Sequence, residues 1–219
     1  MTLSEEDYIK AIYHLGKLEN VMVSTNAIAE KMDTKPSSVT DMIKKLSEKG
    51  FINHKRYQGV TLTELGRSMA LGIVRKHRLW EVFLVDKLNF NWDEVHEVAE
   101  QLEHIKSEKL VDKLDKYLGH PKLDPHGDPI PDRHGNIKKV DKILISACEI
   151  GDIGKFVGVI NSSSDFLRYL DKLKLELGSK IQILSKEDFD GSFQIKVNQD
   201  QLVLSAKAAK NMYIQKIIP

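Results

Sequence analysis

The 219-residue chain carries 33 Lys+Arg against 32 Asp+Glu, a single cysteine and 41% hydrophobic residues. That is apolar material for two or three small cores, and no apolar run approaches the roughly 20 residues that span a bilayer, so no membrane-spanning helix is expected. One cysteine, Cys148, excludes an intramolecular disulfide framework and fits a reducing compartment. The first residues are acidic and lack an apolar core, so no signal peptide and a cytoplasmic location are expected. The formal charge of +1 is uneven: +3 over residues 1–76, −3 over 77–140 and +1 over 141–219. A mildly basic first third suits a polyanion and an acidic middle suits cations.

Ser4 is a candidate N-cap for a first helix with Tyr8, Ile9, Ile12, Tyr13 and Leu15 at largely helical spacing. A short second helix from Thr25 carries Ile28, Ala29 and Met32 inward. After a turn at residues 33–35, Pro36 opens a third helix, where its missing N–H costs little. Val39, Met42, Ile43 and Leu46 form that helix's apolar stripe and Gly50 ends it. This is a helix-turn-helix pattern. The outer face of the third helix offers Lys35, Pro36, Ser37, Ser38, Thr40 and Lys44, short polar groups and cations suited to base edges and phosphates. Two short strands follow, with Lys55, Arg56 and Tyr57 at the hairpin tip between them. A basic, aromatic tip in that place is a DNA-binding wing.

Thr63 caps a long helix on which His77 and Glu81 lie four residues apart, on one face. Asn91 and Glu94 form a capping box for the next helix. Read as helix throughout, residues 96–104 place His96, Glu100, Glu103 and His104 on one stripe. Carboxylates and imidazoles so arranged are a divalent-metal candidate; a solvated acidic face is the alternative. Asp7 joins these groups if the first helix packs alongside. Trp80, Phe83, Leu84 and Trp92 suit either a dimer interface or a core. Residues 120–140 hold four of the six prolines and read as a structured turn and linker, in which His126 and His134 are expected to be solvated. Beyond them, five short strands (142–146, 155–160, 180–184, 193–197, 201–204) and one helical insert at 165–171 suggest a small barrel.

Several of these stretches, in this order, resemble the DtxR/MntR family of metal-dependent transcriptional repressors. They are residues 6–9, 36–40, 59–66, 75–81, 100–104 and the proline-rich loop 124–131. The resemblance implies a mainly α protein with a small β domain: a winged helix-turn-helix over 1–70, a helical dimerisation and metal-binding domain over 71–140, and an SH3-like, FeoA-like domain over 141–219. It implies one metal position matching Asp7, Glu100, Glu103 and His104 and another matching His77, Glu81 and His96. The C-terminal domain adds ligands near Ser162 and Asp165, of which Asp165 is the plausible one. Where one branch of the family has a further acid, this chain has Lys10, which favours two separated sites over a tight two-metal cluster. Carboxylate and imidazole donors, without sulfur, favour Mn(II), with Fe(II) second and Co(II) or Zn(II) able to bind. The expectation is a homodimeric, metal-activated repressor on a double-stranded DNA operator of metal-homeostasis genes, with no catalysis. The competing readings are a metalloenzyme using the His/Glu stripe and a metal-independent winged-helix regulator. No nucleophile or phosphate-loop motif supports the enzyme.

Overall fold

The computed structural model describes residues 1–16 and 22–217. The chain divides into two compact units. The first comprises Met1–Arg78, Glu100–Val111 and Pro131–Ile137; the second comprises Leu79–Ala99, Asp112–Ile130 and Lys138–Pro219.

In the first unit, α1 (Leu3–Leu15), α2 (Thr25–Lys31) and α3 (Pro36–Glu48) precede a hairpin of β1 (Ile52–Lys55) and β2 (Gly59–Leu62). The cap of α1 is Thr2, not Ser4: its hydroxyl accepts from the Glu5 amide while the Glu5 carboxylate accepts from the Thr2 amide. This reciprocal box satisfies two orphan donors at once, which Ser4 does not do. Pro36 begins α3, and Gly50 follows it at φ 75°. Val39, Ile43 and Leu46 are fully buried with Ile9, Ile12, Ile28, Ile52 and Val60 in one core. The hairpin is antiparallel, Ile52 facing Leu62, and Val23 bridges to Val60. Helix α4 (Glu64–Leu88) starts after Thr63, whose hydroxyl accepts from the Gly66 amide. At Gly66 a side chain would collide with the Phe51 carbonyl, so glycine lets the helix start against the hairpin.

The second unit takes the remainder of α4, most of α5 (Val95–Leu102) and the end of α6 (Glu108–Tyr117). It continues into six antiparallel strands: β3 (Ile143–Leu144), β4 (Ile153–Val159), β5 (Lys180–Lys186), β6 (Phe193–Val197), β7 (Asp200–Leu204) and β8 (Met212–Lys216), in the order β3-β8-β4-β5-β6-β7. A single 3-10 turn (Ile145–Ala147) and two α-helices, α7 (Ser164–Lys172) and α8 (Ala206–Ala209), interrupt them. β8 and α8 were not foreseen from the sequence. β8 is short, buries Met212 and Ile214, and gains its place by pairing with both β3 and β4. Phe156, Phe193, Ile195, Leu167, Leu170 and Ile214 fill the core of this β domain, and Trp92 packs against it. No helix among the described residues is long and apolar enough to cross a membrane.

Candidate metal centre and DNA-facing surface

The first ligand group lies in the first unit, between α1 and the turn that follows α5. Helix α5 stops at Leu102, so Glu103 and His104 sit in a turn and not on a continuing helical stripe. That turn aims them back at α1. Asp7, Glu103 and His104 each offer a ligand atom within 4.8 Å of the others. His104 Nε2 is 3.1 Å from Asp7 Oδ1, and its Nδ1 is 2.7 Å from Glu6 Oε2. Glu6, buried on α1, holds the far nitrogen of the ring, the arrangement by which an outer carboxylate orients a ligating imidazole. Sequence reasoning missed Glu6 as a site residue; its only signal is its place beside Asp7, within the acidic run Glu5-Glu6-Asp7 that reads equally as ordinary first-turn charge.

Glu103 is fully buried. It faces His77 Nδ1 at 2.6 Å and Lys10 Nζ at 2.7 Å from both of its oxygens. The same ammonium is 2.6 Å from Glu100 Oε1. Lys10 therefore bridges Glu100 and Glu103, an ammonium set among the carboxylates. Burial raises the Asp7 pKa above the usual aspartate value; the charge of His104 opposes this and that of Glu103 adds to it. A half-buried carboxylate disfavoured in its charged form is one that a divalent ion stabilises.

The second group lies in the second unit: Glu81 on α4 with Asp124 and His126 of the proline-rich loop, all three buried. His126 is thus not a solvated loop histidine, whereas His134 is exposed. The loop is shaped by its own backbone, since Asp124 Oδ1 accepts from the amides of His126 and Asp128. Gly127, at φ 82°, lies so close to the Val157 carbonyl of β4 that no Cβ fits. His126 Nδ1 is 3.7 Å from Glu81 Oε1, and its Nε2 donates to the Trp92 carbonyl at 2.8 Å. Burial alone would lower the His126 pKa; the hydrogen bond and charge of Glu81, with Asp124 behind, outweigh it and push the value up to about 8.

The remaining expected ligands are placed as follows. His77 is buried in the first unit against Glu103. His96 is more than half exposed, with Nδ1 3.6 Å from Glu81 Oε1. Asp165 is exposed on the first turn of α7. Ser163 stands at the N-cap of α7 without a side-chain cap bond, and the Ser164 hydroxyl donates to the Asp93 carbonyl at 2.9 Å instead. Trp80 and Leu84 are buried within the chain.

Lys35, Pro36, Ser37, Ser38, Thr40 and Lys44 are all exposed along α3, opposite Val39, Ile43 and Leu46. The Thr40 hydroxyl is returned to the Pro36 carbonyl. At the hairpin tip Lys55, Arg56 and Tyr57 are exposed, Arg56 lying 4.9 Å over the Tyr57 ring. Lys49 Nζ, at the end of α3, donates to Glu5 Oε1 of α1 at 2.7 Å, and this hydrogen bond holds the Glu5 carboxyl below its usual range.

Residues 1–60 match the family described as "Iron dependent repressor, N-terminal DNA binding domain". Residues 63–132 match "Iron dependent repressor, metal binding and dimerisation domain", and 143–216 match "FeoA domain". The HTH-type transcriptional regulator MntR of Oceanobacillus iheyensis is 33% identical over 123 residues, 56% of this chain and 82% of that protein. This chain belongs to the iron-dependent repressor family. The family is one of transcriptional repressors, not enzymes. The iron-dependent repressor IdeR of Mycobacterium tuberculosis is 36% identical over 126 residues, 58% of this chain. The match spans about half the length of that relative, 54%. A solved "Manganese-dependent transcriptional repressor complex with manganese" superposes with a TM-score of 0.87 at 35% identity, covering 97% of this family member and all of that chain.

Proposed function

We propose that this family member is a homodimeric transcriptional repressor that binds its DNA operator when a divalent metal occupies the group formed by Asp7, Glu103 and His104. The observation that carries the reading is that one helix, α1, supplies Asp7 and Glu6 to the ligand group and Glu5 to Lys49 at the end of α3. A metal joining Asp7 to Glu103 and His104 fixes α1, and α1 fixes the DNA-facing helix. In a two-fold dimer this sets the separation of two such helices at one helical turn of DNA or a multiple, which is a coupling free energy between the metal and DNA sites.

The donors are carboxylate oxygens and imidazole nitrogens without sulfur, which suits Mn(II) best and Fe(II) next; Co(II) and Zn(II) bind by the general order of affinities. Lys10 pairs with both Glu100 and Glu103 and offsets one of their two negative charges. With its positive charge in place, the first group takes a single divalent ion, and Glu81, Asp124 and His126 form the other site, with His96 and Asp165 as further ligands there. The functional domains follow as 1–70 for DNA, 71–140 for metal and dimerisation, and 141–219 as the SH3-like part, in a cytoplasmic protein.

The test is selection of double-stranded DNA from a random pool by the full chain, with Mn(II) and with a chelator. A palindromic sequence recovered with Mn(II) alone is the expected result. Equal recovery with the chelator overturns metal activation, and no enrichment in either condition overturns the DNA reading.

A further inference from the structure

Trp92, in the turn before α5, is held from three directions within the second unit. Its carbonyl accepts from His126 Nε2 at 2.8 Å. Its indole lies nearly parallel to the His126 ring, with centroids 6.2 Å apart and planes at 12°. Its Nε1 donates to Asp171 Oδ1 of α7 at 2.9 Å. The next residue repeats the attachment: Asp93 accepts from the Ser164 hydroxyl on its carbonyl at 2.9 Å and from Arg168 Nε on its carboxylate at 3.0 Å. The turn is therefore strapped to α7 by three of that helix's side chains, Asp171, Ser164 and Arg168.

A carbonyl only accepts. His126 Nε2 must carry the hydrogen, and Nδ1 is the nitrogen presented to Glu81. The indole runs alongside the imidazole, nearly parallel to it. Outer groups that fix the tautomer and plane of a ligating histidine govern affinity without touching the ion.

We propose that Trp92 is the positioning residue of the Glu81/Asp124/His126 group, and that through its bond to Asp171 the β domain tunes how tightly this group holds a divalent ion. This rests on the metal-centre reading above. The backbone carbonyl survives any substitution at position 92, so the side chain's share is separable. Trp92→Phe keeps a stacking ring and loses the Asp171 bond, and Trp92→Ala loses both. Asp171→Ala removes the acceptor, while Asp171→Asn retains an acceptor oxygen.

The experiment is Co(II) titration of the full metal-free chain and these variants, with bound metal counted by elemental analysis. Indole emission is followed as the difference between the chain and Trp92→Phe. Co(II) is expected to quench the Trp92 emission in the unsubstituted chain. Trp92→Ala is expected to weaken one class of bound Co(II) by about 10–100-fold and leave the other class unchanged. Asp171→Ala should weaken the same class by less, and Asp171→Asn should restore it. A role confined to folding would move both classes or neither. Unchanged affinity in both Trp92→Ala and Asp171→Ala, equal loss of both classes, or an emission blind to Co(II) overturns the proposal. No Co(II) bound to the unsubstituted chain overturns instead the metal-centre reading on which it rests.

Discussion

The two ligand groups differ in what holds them together. Asp7 and the Glu103–His104 pair come from elements far apart in the chain, and what joins them without metal is charge: Lys10 against Glu100 and Glu103, Glu6 against His104. Asp124 and His126 come from one loop shaped by its own amides, pinned at Gly127 and shelved on Trp92. A group whose parts sit on separable elements transmits the presence of an ion, because binding changes how those elements are held. A group already fixed by its scaffold binds with less rearrangement and so transmits less. On the proposed reading the first group is the sensor, and the second serves stability and the anchoring of the β domain.

The sharpest way to break this contrast is Glu103→Gln. Glu103 is fully buried and faces Lys10 and His77. The substitution keeps the shape and removes the charge. The Mn(II)-dependent rise in DNA affinity, about 5–150-fold for couplings of this kind, should vanish in anisotropy titrations; a rise that survives removes the first group from the sensor role. Next in size is Lys10→Met. Deleting one partner of a buried ion pair costs about 3–5 kcal/mol, and the Lys10 side chain, 12% exposed, belongs at the low end. The metal-free chain should melt several degrees lower, and Mn(II) should recover most of the loss. If metal restores nothing, Lys10 is not standing in for part of the cation charge.

Asp124→Asn sharpens the comparison from the other side. An amide oxygen still accepts from the backbone amides of residues 126 and 128, so the loop keeps its shape while the ligand loses its charge. Metal affinity at the second group should fall roughly tenfold with the DNA response largely intact, measured by calorimetry and anisotropy together. Equal loss of both would make the two groups one functional unit. The smallest effect belongs to Asp152, whose carboxyl is held below its usual range by the Lys216 ammonium and the Glu149 amide. A lowered folded-state pKa contributes stability above the unfolded value of about 3.9 and loses it as the pH falls through the folded value. The unsubstituted chain should therefore be slightly more stable than Asp152→Asn at neutral pH, with the difference closing in acid.

Much of the architecture was legible because it rests on short-range rules. Pro36 and Gly50 bracket α3, the apolar spacing of Val39, Ile43 and Leu46 sets its inner face, and the polar residues between them had to face outward. The β domain was less legible. β8 has as many apolar residues as β6, but its place in the sheet comes from pairing with both β3 and β4, which no local pattern announces. At the metal centre, residue types were readable but their grouping was not. A helical period assigned Glu103 and His104 to a stripe, whereas the end of α5 turned them toward α1. His126 in a polar, proline-rich loop read as solvated, since nothing local shows that Val157, Gly158 and Trp92 will cover it.

By itself, the sequence determined that this chain has a basic helix-turn-helix with a wing, an acidic middle rich in imidazole and carboxylate, and no sulfur donor beyond Cys148 and the methionines. Those follow from composition and from periods of a few residues. Only the tertiary structure decided which carboxylate meets which imidazole, that Lys10 sits among the acids, that Glu6 stands behind His104, and that Trp92 joins His126 to α7. Each of these is a pairing of side chains distant in sequence. Such pairings are set by how helices and strands pack, and packing depends on the shape of the whole core rather than on the residues that happen to meet.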